Sequence, residues 1–180
     1  MKLGIYIGSF NPVHKGHMDV VNYLLMNRYV DRVLIIPTGN YWDKVDLVDI
    51  KDRINMLKIF ESDKIIIDNK HNNYEYTYEL MRVLKKEYID ELYLIMGADN
   101  IVNFYKWKNY QELLKYKIIV MNRDDIDISK YVDKYKSNNF ILVNDYKYID
   151  ISSSVIRDNL DGKYIDQRVL RYINDNHLYS

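Results

Sequence analysis

The sequence predicts an α/β fold: one Rossmann-like, doubly wound parallel sheet with helices on both faces and a small helical segment towards the C-terminal end. Three observations carry this. Apolar runs suited to buried parallel strands recur at Leu3–Ile7, Arg32–Pro37, Lys64–Asp68, Glu91–Met96, Lys117–Met121 and Phe140–Val143. Segments of helical period alternate with them, which is the signature of βαβ units and a sheet covered on both faces. No internal repeat, low-complexity tract or Pro/Gly/Ser-rich linker interrupts the alternation, so residues 1–180 read as a single domain large enough for a substantial core.

Taken in order, Leu3–Ile7 is a buried first strand and Met18–Met26 a helix with Val20, Val21, Leu24 and Leu25 on one face. Asp49 to Phe60 is a second helix, with Asp49 as N-cap and Ile50, Ile54 and Leu57 on one side. Thr77 to Lys86 follows the same pattern through Leu80, Val83 and Leu84, and Tyr110–Tyr116, Ile128–Asn138, Ser153–Leu160 and Gln167–Asn176 are shorter helices. The polar stretches Thr38–Val48 and Asn69–Glu75 read as the mobile loops.

Composition narrows the function. Acidic and basic residues balance at 26 each, so bulk charge gives no footprint for nucleic acid, and phosphate recognition must come from a few placed groups. There is no cysteine, which excludes disulfides, thiolate catalysis and zinc–thiolate sites. No apolar stretch is long enough for a bilayer and Met1-Lys2 leads directly into a strand, so a soluble cytoplasmic protein with no membrane partner is expected. Neither Gly-x-Gly-x-x-Gly nor Gly-x-x-x-x-Gly-Lys-Ser/Thr is present, which argues against a dinucleotide-binding dehydrogenase and a P-loop kinase.

The stretch Gly8 to His17, Gly-Ser-Phe-Asn-Pro-Val-His-Lys-Gly-His, stands between the first strand and the first helix, where a parallel sheet binds ligands. Gly8 allows close backbone approach and Pro12 stiffens the turn. His14 and His17 deliver two imidazoles beside a helix N-terminus, whose free N–H groups and dipole favour an anion. The alternatives are a chance four-residue match and a metal site, the latter with only His71 and His177 as further imidazoles. Far along the chain, Asp150-Ile-Ser-Ser-Ser-Val-Ile-Arg157 opens another helix within its serines. Ser153 and Ser154 offer hydroxyls there, and Arg157, one turn in, is placed to reach the same anion with its planar fork. The plain alternative is a capped helix with an exposed arginine.

Gly8-Ser9-Phe10-Asn11-Pro12 with His14-x-Gly16-His17 resembles the signature of the HxGH nucleotidyltransferase superfamily, and Ile151 to Arg157 resembles its ISSTxIR motif, with Ser154 in place of threonine. Met96-Gly97-Ala98-Asp99-Asn100, then Trp107 and Leu113-Leu114, is similar to the GAD…W…LL segment of bacterial nicotinate-mononucleotide adenylyltransferases. Glu75-Tyr76-Thr77 matches that family's SYTxxTL segment in part, Arg53 with Met56-Leu57 its RxxML helix, Arg123 its arginine after the fifth strand, and Tyr172-Ile173…Leu178-Tyr179 its terminal pattern. The resemblance runs from Ile5 to Tyr179. Glu75 and Glu79 replace a serine and a threonine; an acidic pair facing a nicotinate carboxylate is unfavourable, so both are expected to face solvent.

The resemblance implies adenylyl transfer from ATP to nicotinate mononucleotide, giving the dinucleotide and pyrophosphate. It implies that His14, His17 and Arg157 carry the chemistry, with His17 acting on the transition state. It places Gly8, Ser9, Phe10, Gly16, Gly97, Asp99, Ser153 and Ser154 on ATP, and Lys44, Tyr76, Thr77 and Trp107 on the mononucleotide, with the indole stacked on the pyridine ring. Arg53 is expected to pin a loop. Mg²⁺ is expected to arrive with ATP, since no carboxylate cage for a resident metal is visible. The implied partners are ATP and a mononucleotide, not nucleic acid, and a homo-oligomer is compatible with the sequence. Competing readings are a phosphopantetheine adenylyltransferase, another HxGH nucleotidyltransferase, and a catalytically silent nucleotide-binding module.

Overall fold

A computed structural model describes residues 1–40, 47–123, 125–160 and 162–180. Lys44 lies outside them. The strands are β1 (Lys2–Gly8), β2 (Arg32–Pro37), β3 (Ile65–Ile67), β4 (Glu91–Gly97), β5 (Lys117–Met121) and β6 (Phe140–Val143). They form one sheet in the order β3-β2-β1-β4-β5-β6, and all neighbouring pairs are parallel. This is a Rossmann-like α/β fold, whose strand order reverses between β1 and β4 and so opens a crevice at their C-terminal ends.

Alternation along the strands sorts the side chains onto two faces. Val33, Ile35, Ile95 and Ile119 point to one core, which is closed by α1 (Lys15–Met26), α2 (Ile50–Lys58), α7 (Ser153–Asp158) and α8 (Gln167–Asp175). Leu3, Ile5, Leu34, Leu94 and Ile118 point to the other, beneath α3 (Thr77–Glu87), α4 (Ala98–Val102), α5 (Tyr110–Leu113) and α6 (Ile128–Val132). Gly4 packs closely where β1 meets the first core: a Cβ there falls 2.8 Å from Ile95 Cδ1, so that side chain would have to shift. Among the described residues no helix is long and apolar enough to cross a membrane.

Three expectations change. α1 begins at Lys15, three residues before Met18, because His14 supplies the N-cap. Histidine is outside the usual capping set, so the start is invisible to a search for Ser, Thr, Asp or Asn. Gly97 caps α4, whose first residues are Ala98 to Asn100, a helix absent from the expected elements because it is too short to show a period. The segment Ile128–Asn138 is α6 followed by a 3₁₀ turn, Asp133–Tyr135, rather than one helix. Asp49 does cap α2, accepting from the Lys51 amide at 2.8 Å.

Candidate active site

The crevice at the C-terminal ends of β1 and β4 holds a cavity of about 360 Å³. Gly8, Phe10, His14, Gly16 and His17 line it from the β1–α1 turn, Gly97 and Asp99 from the end of β4, and Ser152 and Ser153 from the start of α7. Two segments separated by most of the chain therefore converge. Their contact is direct: Ser153 Oγ donates to the Pro12 carbonyl at 3.1 Å, and Ile151 Cγ2 stands 3.1 Å from where a Gly16 Cβ would be.

The histidine pair follows from the cap. His14 Nδ1 accepts from the Gly16 amide at 3.0 Å and the His17 amide at 3.4 Å, while His17 Nδ1 accepts from the His14 amide at 3.1 Å. This is a reciprocal capping box built from imidazoles in place of Ser and Glu. The rings stack with centroids 3.7 Å apart, and the edge of Phe10 closes on His17 at 4.8 Å. A Cβ on Gly16 falls 2.8 Å from His14 Cε1, so only glycine fits under the ring.

Tautomer follows from these bonds. With each Nδ1 accepting, the ring proton of a neutral imidazole sits on Nε2, on the opposite edge. Burial holds both rings neutral: it pushes His14 down to about 4, and burial together with the neighbouring His14 keeps His17 well below the ordinary histidine range. Both imidazoles line the cavity, and each is neutral with its proton on Nε2. Their Nδ1 lone pairs are already taken, so the pair does not fit a protein-held metal. Among the described residues no group of three or more His, Asp or Glu is arranged to hold one.

Gly97 carries open space where a Cβ would stand, with no atom of the described residues beyond its chain neighbours within 4 Å. Nothing in the fold demands glycine there, and the opening enlarges the cavity. Asp99 is paired: Arg123 Nη1 lies 2.6 Å from its carboxylate, and the same guanidinium reaches Asp150 at 3.6 Å and lies over the Tyr148 ring. Tyr146 closes the floor, its hydroxyl donating to Asp19 at 2.6 Å.

Other expected residues lie outside this cavity. Arg157 and Ser154 line a second one, with Val48 and Tyr179, and Arg157 Nη1 donates to the Asn11 carbonyl at 2.9 Å. The motif is divided between the two cavities: α7 carries Ser153 on one, with Ser152 just before it, and Ser154 and Arg157 on the other. Ser9 is not on the cavity wall; its carbonyl accepts from Arg53 Nη1 at 2.9 Å. Arg53 is fully buried and also donates to the Val48 carbonyl and Asn40 Oδ1, so it pins the loop as expected. Tyr76, Thr77 and Trp107 gather around a third pocket of about 300 Å³, with Lys108 Nζ over the Tyr76 ring at 4.5 Å. Glu75 is exposed, whereas Glu79 is half-buried and accepts from the Tyr78 hydroxyl at 3.2 Å.

Tyr146, Tyr148 and Asn122 also line the first cavity and were not found from sequence. They follow β5 and β6, and only the alternation of Tyr146 and Tyr148 just before the serine motif hints at a shared face.

Residues 5–159 match the cytidylyltransferase-like family model. The chain is 35% identical to a protein of Acholeplasma laidlawii over 98% of its own length and 96% of the relative's. It is 34% identical to one of Fusobacterium nucleatum, covering 91% and 89% respectively. Both are described as a probable nicotinate-nucleotide adenylyltransferase. Among solved structures, the Plasmodium falciparum nicotinic acid mononucleotide adenylyltransferase superposes with a TM-score of 0.82 at 24% identity, covering 99% of this chain and 96% of that one. That likeness is one of fold. With the paired histidines at the switch point and full-length relatives of this identity, the chain belongs to the nicotinate-nucleotide adenylyltransferase family, within the cytidylyltransferase-like group.

Proposed function

We propose that the protein transfers the adenylyl group of ATP to nicotinate mononucleotide, releasing pyrophosphate and forming nicotinate adenine dinucleotide, in the cytoplasm and within a single domain. The observation that carries this is the pair of neutral Nε2–H donors that His14 and His17 present to the crevice.

The phosphate of the mononucleotide is largely dianionic near neutrality, so the nucleophile needs no general base. Its oxygen forms a bond to the α-phosphorus as the bond from that phosphorus to the bridging oxygen breaks, and the electron pair leaves with pyrophosphate. The obstacle is charge repulsion and alignment. Donors fixed in direction before the reaction stabilise charge on the α-phosphoryl oxygens without reorganising. His17 is assigned to the transition state, and His14 to the α/β-phosphate region while its Nδ1 holds the helix start. Magnesium would come with ATP, since no cluster among the described residues would hold it, and would supply neutralisation of phosphate charge. Arg157 and Ser154 take the β/γ end from the second cavity, and Ser153 and the Gly8–Phe10 turn border the nucleotide. Tyr76, Thr77 and Trp107 take the pyridine end in the third pocket.

Pyrophosphate release from ATP and Mg²⁺ is followed with nicotinate mononucleotide, nicotinamide mononucleotide and phosphopantetheine in parallel. Release is expected with nicotinate mononucleotide. Release with phosphopantetheine alone reassigns the acceptor, and no release with any acceptor leaves a silent nucleotide-binding module.

A further inference from the structure

Asn11, only 4% exposed, is a junction of three segments. Its side-chain carbonyl accepts from the Tyr179 hydroxyl at 2.5 Å and from the Val48 amide at 3.3 Å, and its backbone carbonyl accepts from Arg157 Nη1 at 2.9 Å. The three donors belong to residues that line the second cavity. Tyr179 is held there in the left-handed region, at φ 62°, a conformation a bulky residue adopts only where its surroundings enforce it. Burial is the largest influence on the phenol and raises its pKa, with Arg157 and Arg53 acting against it and Asp52 with it.

We infer that Tyr179 is a positioning residue for the triphosphate end of the reaction: its hydroxyl fixes Asn11, and Asn11 fixes Arg157 at the edge of the second cavity. The inference rests on Arg157 being the phosphate ligand proposed above. Removing the Tyr179 donor leaves Oδ1 with the Val48 amide and loosens the residue whose backbone carbonyl anchors the guanidinium. An arginine held in advance surrenders less rotamer freedom when an anion binds, which is where the affinity comes from. Phenylalanine at 179 fills the same space and removes only the donor.

The test is calorimetric titration of the full chain with ATP and, separately, with nicotinate mononucleotide, for wild type, Tyr179→Phe, Asn11→Ala and the double variant. Tyr179→Phe is expected to weaken ATP about tenfold and to leave the mononucleotide within about twofold. The double variant is expected to bind ATP no more weakly than Asn11→Ala alone, since the hydroxyl acts through Asn11. Unchanged ATP affinity in Tyr179→Phe, equal loss for both ligands, or fully additive losses each overturn the inference. If Asn11→Ala does not fold, the comparison of the two ligands in Tyr179→Phe decides alone. A wild-type chain that binds ATP but releases no pyrophosphate refutes the reaction and leaves this test standing. One that binds no ATP overturns both.

Discussion

His14 and His17 cap each other: each ring nitrogen Nδ1 accepts a backbone amide from the segment that carries the other. One arrangement therefore does two jobs. It starts α1 without a serine or aspartate, and it fixes both imidazoles in the tautomer that points a donor into the crevice.

His17→Ala removes the proposed transition-state donor and one arm of the cap together. We expect kcat to fall about 100- to 1000-fold and the folded state to lose about 1 kcal/mol. Steady-state rates and thermal melts separate the two effects. Turnover like wild type takes His17 out of the mechanism.

The same pair makes stability depend on pH. The folded-state pKa of His14, about 4, lies below the unfolded value of about 6.5. Protonation therefore favours the unfolded chain. The contribution is fully present above pH ~6.5 and is lost as pH falls towards and through 4, amounting to about 3 kcal/mol for His14 alone. His14→Asn keeps an N-cap and removes the titration. Urea unfolding across this window is expected to show a shallower pH slope for that variant than for wild type; an equal slope contradicts it.

Trp107 lies in the third pocket, apart from the histidines. Trp107→Ala is expected to raise KM for the mononucleotide about tenfold and to spare ATP. Equal losses for both substrates, read by initial rates, remove the stacking role.

Arg53 supplies three donors to Ser9, Val48 and Asn40 from a fully buried position. Arg53→Met leaves the partly buried Ser9 and Val48 carbonyls without this donor, at a cost of about 1–3 kcal/mol. Denaturant unfolding checks this. An unchanged midpoint shows that water or rearrangement satisfies those groups and that the loop is pinned by something else.

The strands were legible because a buried parallel strand must be an apolar run, and the six runs correspond to the six strands. α1 was read three residues late because histidine is not a usual cap, and α4 was missed because five residues show no period. In the site, the convergence of His14, His17 and Ser153 could be anticipated because both motifs open helices and together resemble the phosphate site of one superfamily. The division of α7 between two cavities could not, since it depends on where Arg157 finds its carbonyl. The Asp99–Arg123 pair is equally silent in sequence: 24 residues separate its members, and only the adjacency of β4 and β5 brings them together.

The most direct test of two neutral donors acting on a triphosphate is ¹⁵N NMR of histidine-labelled protein at neutral pH, without and with a non-hydrolysable ATP analogue. The account predicts protonated Nε2 and bare Nδ1 on both His14 and His17, with both Nε2 signals shifted by the analogue. A proton on Nδ1 of either ring, or two Nε2 signals indifferent to saturating analogue, contradicts it.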